Sequence, residues 1–220
     1  MIIPDISGSG QSSPGNWNGA IAIDEYAASV KAMLDAEQIT SCSMIGHSMG
    51  GYITLAFAEK YPQFLQSFGL FHSSAFADNE EKKQTRLKAI DFITTKGAYT
   101  FIKTSTPNLF APAFTSTHPE QIEALIEKGK DFSKVSLIQY YQAMISRPDR
   151  TAVLRTFPRP VLFIMGEHDK AVPLQTGLEQ CYLPQQAHIH VLKDSAHMGM
   201  WEESNKANHI LLSFLTPAVV

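Results

Sequence analysis

The sequence predicts an α/β chain, a parallel sheet with helices on both faces, interrupted by a block of helices. Three observations carry this. Short apolar runs alternate with amphipathic helical patterns over residues 1–73 and again over 152–220. The run Val161-Leu162-Phe163-Ile164-Met165, bracketed by Pro160 and Gly166, is apolar throughout, as a strand covered on both faces must be. Between about residues 74 and 151 helical patterns follow one another with no convincing strand. That block reads as a helical cap inserted into a core made of 1–73 and 152–220.

Met1-Ile2-Ile3, before Pro4, reads as an opening buried strand. Residues 5–16 are dense in Ser, Gly, Asp, Pro and Asn and read as a surface loop. Ala27, Val30 and Leu34 recur at helical spacing, so a helix over 24–37 is expected, with Asp24 available as its N-cap. A strand through Ile45 and a helix over 50–61 follow, stopped by Pro62, and then a short strand over 67–71. In the cap, residues 80–92 and 119–130 are helical. Phe101, Phe110, Phe114, Tyr140, Tyr141 and Met144 are available to line a pocket, or to form the cap's own core. The strand over 159–165, a helix through Leu178, a strand over 188–192 and a terminal helix over 205–215 complete the chain.

The stretch Gly46-His47-Ser48-Met49-Gly50 places Gly-x-Ser-x-Gly between a predicted strand and a predicted helix. So sharp a turn holds its serine at a strained backbone angle. The expectation is that Gly46 and Gly50 are glycine because a Cβ there would collide with neighbouring backbone. The helix that follows points first-turn amides and its positive dipole end at charge forming near Ser48, with the Met49 N–H as an oxyanion donor. A solvated serine in a glycine-rich turn is the alternative for five residues taken alone; the flanking strand and helix favour the nucleophile. Asp169 and His197 follow in order, each just past the carboxyl end of a predicted strand, where ligands of open parallel sheets collect.

This order, nucleophile then acid then base, resembles the α/β-hydrolase superfamily in its capped, esterase-like form. The matching residues are Gly46-His47-Ser48-Met49-Gly50-Gly51 for the nucleophile turn, Gly166-Glu167-His168-Asp169 for the acid and Ser195-Ala196-His197 for the base. Residues 5–12 are similar to the family's loop after its fourth strand. The resemblance implies a serine hydrolase: His197 as the base that deprotonates Ser48, Asp169 as the group holding the imidazole, and an acyl-enzyme cleared by water. It places the acid at Asp169 rather than Glu167. The implied reaction is carboxylic-ester hydrolysis of a small-molecule acyl substrate. A carbon–carbon bond, a lactone or an amide is the alternative chemistry, and a non-catalytic binding module the alternative class. His47, His72 and Trp201 are candidate substrate-binding residues; His47 and His168 also read as structural or exposed neighbours, His72 reads more readily as a hydrogen-bonded structural histidine, and Asp194 is near His197 only along the chain.

Family members carry further N-terminal strands, and a His-Gly loop after the third supplies a second oxyanion donor. Both are missing ahead of Met1, which separates Met1-Ile2-Ile3 from the strand through Ile45. The expectation is a natural chain about 35 to 60 residues longer at this end, or else a rearranged sheet that borrows a strand from a partner.

Composition excludes several classes. With 44% apolar and 18% charged residues and a net charge of −3, the chain is globular and lacks the basic footprint of a nucleic-acid binder. It contains no apolar run of membrane-spanning length. The histidines show no metal-ligand spacing, so neither a metal nor another cofactor is expected. Cys42 and Cys181 read as thiols of a reducing compartment, the cytoplasm.

Overall fold

The computed structural model describes residues 1–14 and 21–216. Four strands form one parallel sheet in the order β1 (Cys42–His47), β2 (Leu65–Phe71), β3 (Val161–Gly166), β4 (Ala187–Leu192). The inner strands β2 and β3 are buried almost residue for residue, whereas the edge strands β1 and β4 are half-buried or exposed except at Gly46 and Leu192. Continuous apolar runs thus mark the strands that helices cover on both faces.

On one face lie α1 (Ile23–Ala36) and α2 (Met49–Lys60). Residues Gly51 to Ala58 of α2 are all buried, so this helix is apolar around its circumference and sits inside the larger core with Tyr26, Phe68 and Phe163. On the other face α11 (Ser204–Leu215) sets Ala207 and Ile210 against Phe71, Leu162, Ile164 and Leu192. Each such side chain contributes about 1.5–3 kcal/mol of burial, enough that the sheet is fixed from both sides.

After β2 come α3 (Glu80–Lys96), α4 (Ala98–Ser105), α5 (Pro112–Thr117), α6 (Pro119–Lys128), α7 (Lys134–Ser146) and α8 (Thr151–Thr156), with no strand before β3. Part of this insertion has its own apolar cluster of Phe110, Phe114, Ile122 and Ile126. The short α9 (Leu174–Leu178) separates β3 from β4, and α10 (Gly199–Glu202) precedes α11.

Two local expectations are corrected. Met1-Ile2-Ile3 is not a strand: the three side chains are 110%, 52% and 81% exposed and the segment pairs with nothing among the described residues. It lines one wall of an apolar trough of about 560 Å3 whose opposite wall is β1, and an extended segment without a ladder partner is not a strand. Asp24 does not cap α1. Ala22 occupies that position, with its N–H donating to Glu25 Oε2 at 2.8 Å, while Asp24 in the first turn pairs with Lys60 at 2.8 Å and Arg150 at 2.7 Å. Gly15 and Asn16 of the predicted loop lie outside the described residues.

Candidate active site

Ser48 stands between β1 and α2 at φ 51° and ψ −118°, a left-handed conformation that costs a non-glycine residue about 1–3 kcal/mol. The surroundings hold it there: Ser48 N–H donates to Phe71 O at 2.9 Å, and Ser73 Oγ donates to Ser48 O at 2.7 Å. The glycine requirement differs from the sequence expectation. A Cβ on Gly46 would collide with the Gly50 carbonyl, as expected, but one on Gly50 would meet nothing within 4 Å. The second constrained glycine is Gly51, whose Cβ would overlap the Ser73 side chain.

Parallel strands deliver the partners to the same edge. Asp169 follows β3 and His197 follows β4, and both are buried. His197 Nε2 lies 2.9 Å from Ser48 Oγ and His197 Nδ1 lies 2.8 Å from Asp169 Oδ2. An ionised carboxylate only accepts, so Nδ1 carries the proton and the Nε2 lone pair faces the serine hydroxyl. Asp169 Oδ1 accepts the N–H groups of Ala171 and Val172, each at 2.8 Å. Burial alone would raise the Asp169 pKa. Hydrogen bonds from His197, then His72, and the Val172 amide outweigh it and hold the carboxyl well below the usual carboxylate range.

Three further groups fix the base: His47 and His72, for which the sequence leaves a structural role open, and Glu202, which the sequence does not single out. His47 Nε2 lies 2.8 Å from His197 O and donates to it; burial, with His197 close by, pushes the His47 pKa down to about 3, so the ring is neutral. His72, itself at φ 49°, has Nδ1 3.2 Å from Asp169 Oδ2 while its Nε2 accepts the Gly199 N–H at 3.2 Å. Glu202 Oε2 accepts the N–H of Ala196 at 2.9 Å and of Met198 at 3.0 Å, the two residues flanking His197. Its other oxygen accepts Ala111 N–H at 2.6 Å, and His197 N–H donates to Leu109 O at 2.9 Å, so the base loop is tied to the insertion. Nothing in the local sequence distinguishes Glu202 from a solvated glutamate.

A cavity of about 720 Å3 opens over Ser48 and His197 between the sheet edge and the insertion. His47 lines it, as do Phe101, Tyr141 and Met144. Two substrate-binding candidates are corrected. His72 is 1% exposed and spent on Asp169 and Gly199, so it does not reach the cavity. Trp201 packs on the Phe110 and Phe114 cluster, because α10 turns it toward the insertion's core. Phe110 and Phe114 belong to that cluster and Tyr140 to the main core, where its hydroxyl donates to Ser7 O at 2.8 Å. Glu167, His168 and Asp194 are exposed. Among the described residues His72, Asp169 and His197 are the one cluster with metal-ligand atoms in reach of each other; His197 is hydrogen-bonded to Asp169 and Ser48 and His72 Nε2 to the Gly199 amide, while His72 Nδ1, 3.2 Å from Asp169 Oδ2, is buried without a hydrogen-bond partner.

A strained serine, a tautomer-locked histidine and a buried carboxylate on one edge of a parallel sheet define a hydrolase-type α/β site. The family profile described as the alpha/beta hydrolase fold matches residues 1–204, and the chain belongs to that family. It is 24% identical over 194 residues to a 2-hydroxy-6-oxononadienedioate/2-hydroxy-6-oxononatrienedioate hydrolase of a Pseudomonas species, covering 86% of this chain and 68% of that one. It is 26% identical over 217 residues to a 2-hydroxy-6-oxo-6-phenylhexa-2,4-dienoate hydrolase of Comamonas testosteroni, covering 92% and 74%. Among solved structures, a thermophilic esterase from Thermogutta terrifontis superposes with a TM-score of 0.89 at 23% identity, over 96% of this chain and 78% of that one. The enol-lactonase from Burkholderia xenovorans LB400 superposes with a TM-score of 0.85 at 21% identity, again over 96% and 78%. No helix of the described residues is long and apolar enough to cross a membrane.

Proposed function

We propose that the chain hydrolyses a carboxylic ester of a small-molecule acyl substrate through an acyl-enzyme on Ser48. His197 Nε2 takes the Ser48 Oγ proton as the oxygen attacks the substrate carbonyl, then gives it to the departing alkoxide. Water, deprotonated by the same nitrogen, releases the acid. Asp169 holds the imidazole in its Nδ1–H tautomer and stabilises the imidazolium formed on the way. The Met49 amide, in the first turn of α2, has no acceptor within the helix and donates to the oxyanion. The insertion, residues 74–151, serves as the cap that shapes the cavity, and the two free thiols fit the cytoplasm.

The observation that carries this reading is the unbroken chain from Ser48 Oγ through His197 to Asp169, at 2.9 and 2.8 Å. The names of the relatives favour a second reading with the same residues. A 6-oxo dienoate offers a ketone rather than an ester, and its hydrolysis breaks the carbon–carbon bond beside that ketone; an enol-lactone is a third acyl donor. A panel of p-nitrophenyl esters, a 2-hydroxy-6-oxo dienoate and an enol-lactone, assayed with the wild type and Ser48→Ala, tests the choice. Ester turnover lost in the variant supports ester hydrolysis, and turnover of the dienoate or lactone alone replaces it.

A further inference from the structure

The cavity above Ser48 is unevenly charged. Lys82 and Arg86, one turn apart on α3, line it, and Lys170 stands at its mouth, while the carboxylate lining it is the exposed Glu81. Behind this wall, fully buried Asp78 is shared by two guanidiniums, with Arg86 Nε at 2.5 Å and Arg147 Nη2 at 2.8 Å. Arg147 is turned away from the cavity, onto the carbonyls of Phe76 and Met144 and the face of Tyr52 at 3.9 Å.

Lys82 adds a third cation. Its Nζ donates to Ala171 O at 2.8 Å, and among the described residues no carboxylate lies within 4.0 Å of it, although Glu179 lines an adjoining cleft. Burial, together with repulsion from Arg86 and Arg147, lowers its pKa. The Arg86 Nη1 group has only the Met144 thioether sulfur at 3.1 Å, a weak acceptor. Three cations and one carboxylate therefore meet in a largely desolvated wall; Arg147, whose Nε is buried without a partner, lies behind it, and Lys82 and Arg86 are the two that face the cavity. Withdrawing positive charge from water is costly unless an anion compensates it. An anion entering the cavity would meet both Lys82 and Arg86 and compensate this charge.

We propose that Lys82 and Arg86 form an anion-binding wall that selects substrates carrying a carboxylate at the end of the chain away from the carbonyl attacked by Ser48. This rests on the hydrolase reading of the same site. Lys82 is held toward the cavity by its bond to Ala171 O in the loop of Asp169. Arg86, pinned by Asp78, supplies a fixed direction.

The test reads binding and reactivity separately. Titration calorimetry of the wild type with dicarboxylates from succinate to suberate, against diols of equal length, reads binding without any chemistry at Ser48. One dicarboxylate is expected to bind at least about tenfold tighter than its diol, the worth of a charge-assisted hydrogen bond, with affinity falling toward about 0.5 M salt. The same acid is expected to slow labelling of Ser48 by a neutral alkyl fluorophosphonate, which places it in this cavity. Lys82→Met is expected to erase the preference of acid over diol, and Lys82→Arg to keep it. Equal binding of acids and diols by the wild type, or a preference unchanged in Lys82→Met, overturns the wall. Absence of labelling beside intact acid binding overturns the hydrolase reading and leaves the wall standing.

Discussion

The two glycines after the nucleophile should respond oppositely to the same methyl group. Gly50 and Gly51 both lie in the first turn of α2, so an alanine at either gains up to about 1 kcal/mol from reduced unfolded-chain freedom and better helix propensity. A Cβ on Gly50 meets nothing within 4 Å, so Gly50→Ala should keep that gain. A Cβ on Gly51 would lie closer than 3.0 Å to both Cβ and Oγ of Ser73, the residue whose hydroxyl holds the Ser48 carbonyl. Overpacking of this kind costs about 1–3 kcal/mol. Because the propensity gain is common to both, that cost is the expected difference between the variants, or about 2–12 °C in melting temperature for a chain of this size. Thermal unfolding of the two variants side by side measures it, and Ser73→Gly in the Gly51→Ala background should recover most of the loss. Equal melting temperatures, or Gly50→Ala as the less stable, would refute the assignment of Gly51 as the packed glycine.

Other outcomes follow from the same geometry. Asp169→Asn should lower kcat on the order of 10⁴-fold by removing the acceptor that fixes the His197 tautomer; ester turnover reduced less than tenfold would contradict the role. Glu202→Ala leaves the Ala196 and Met198 amides without their acceptor, so urea unfolding should show a loss of about 1–3 kcal/mol. His47 is held down to about 3 and His72 is lowered too, both by burial, so below about pH 6.5 the unfolded chain takes up protons that the folded chain refuses. Stability should therefore be full above that pH and decline between about pH 6.5 and 5, before carboxylates contribute. His47→Gln, which keeps a donor for the His197 carbonyl, should flatten the decline, as urea midpoints at several pH values would show.

What could be read from the sequence was whatever depends on near neighbours in the chain. The apolar run over 161–165, the strand-turn-helix around Ser48 and the positions of Asp169 and His197 beyond strand ends are local patterns, and all appear in the fold. What was not legible depends on partners distant in sequence. Met1-Ile2-Ile3 has strand composition, but a strand exists only beside another, and across the trough from β1 the segment has no ladder partner among the described residues. The choice between Gly50 and Gly51 is made by Ser73, beyond β2. A position beside a strand end leaves His72 open to substrate or to a structural bond, and it is the contacts with Asp169 and Gly199 that make the choice; Trp201 is turned onto the insertion's aromatic cluster by contacts equally distant in sequence. The clamp by Glu202 joins amides within its own loop to Ala111, a contact that no spacing announces.

The most direct measurement is mass spectrometry of the folded chain after exposure to a fluorophosphonate. A single adduct on Ser48, absent from Ser48→Ala and slowed sharply in Asp169→Asn, is what the arrangement of serine, imidazole and carboxylate requires. An adduct on a different residue, or none on a protein that remains folded, would contradict it.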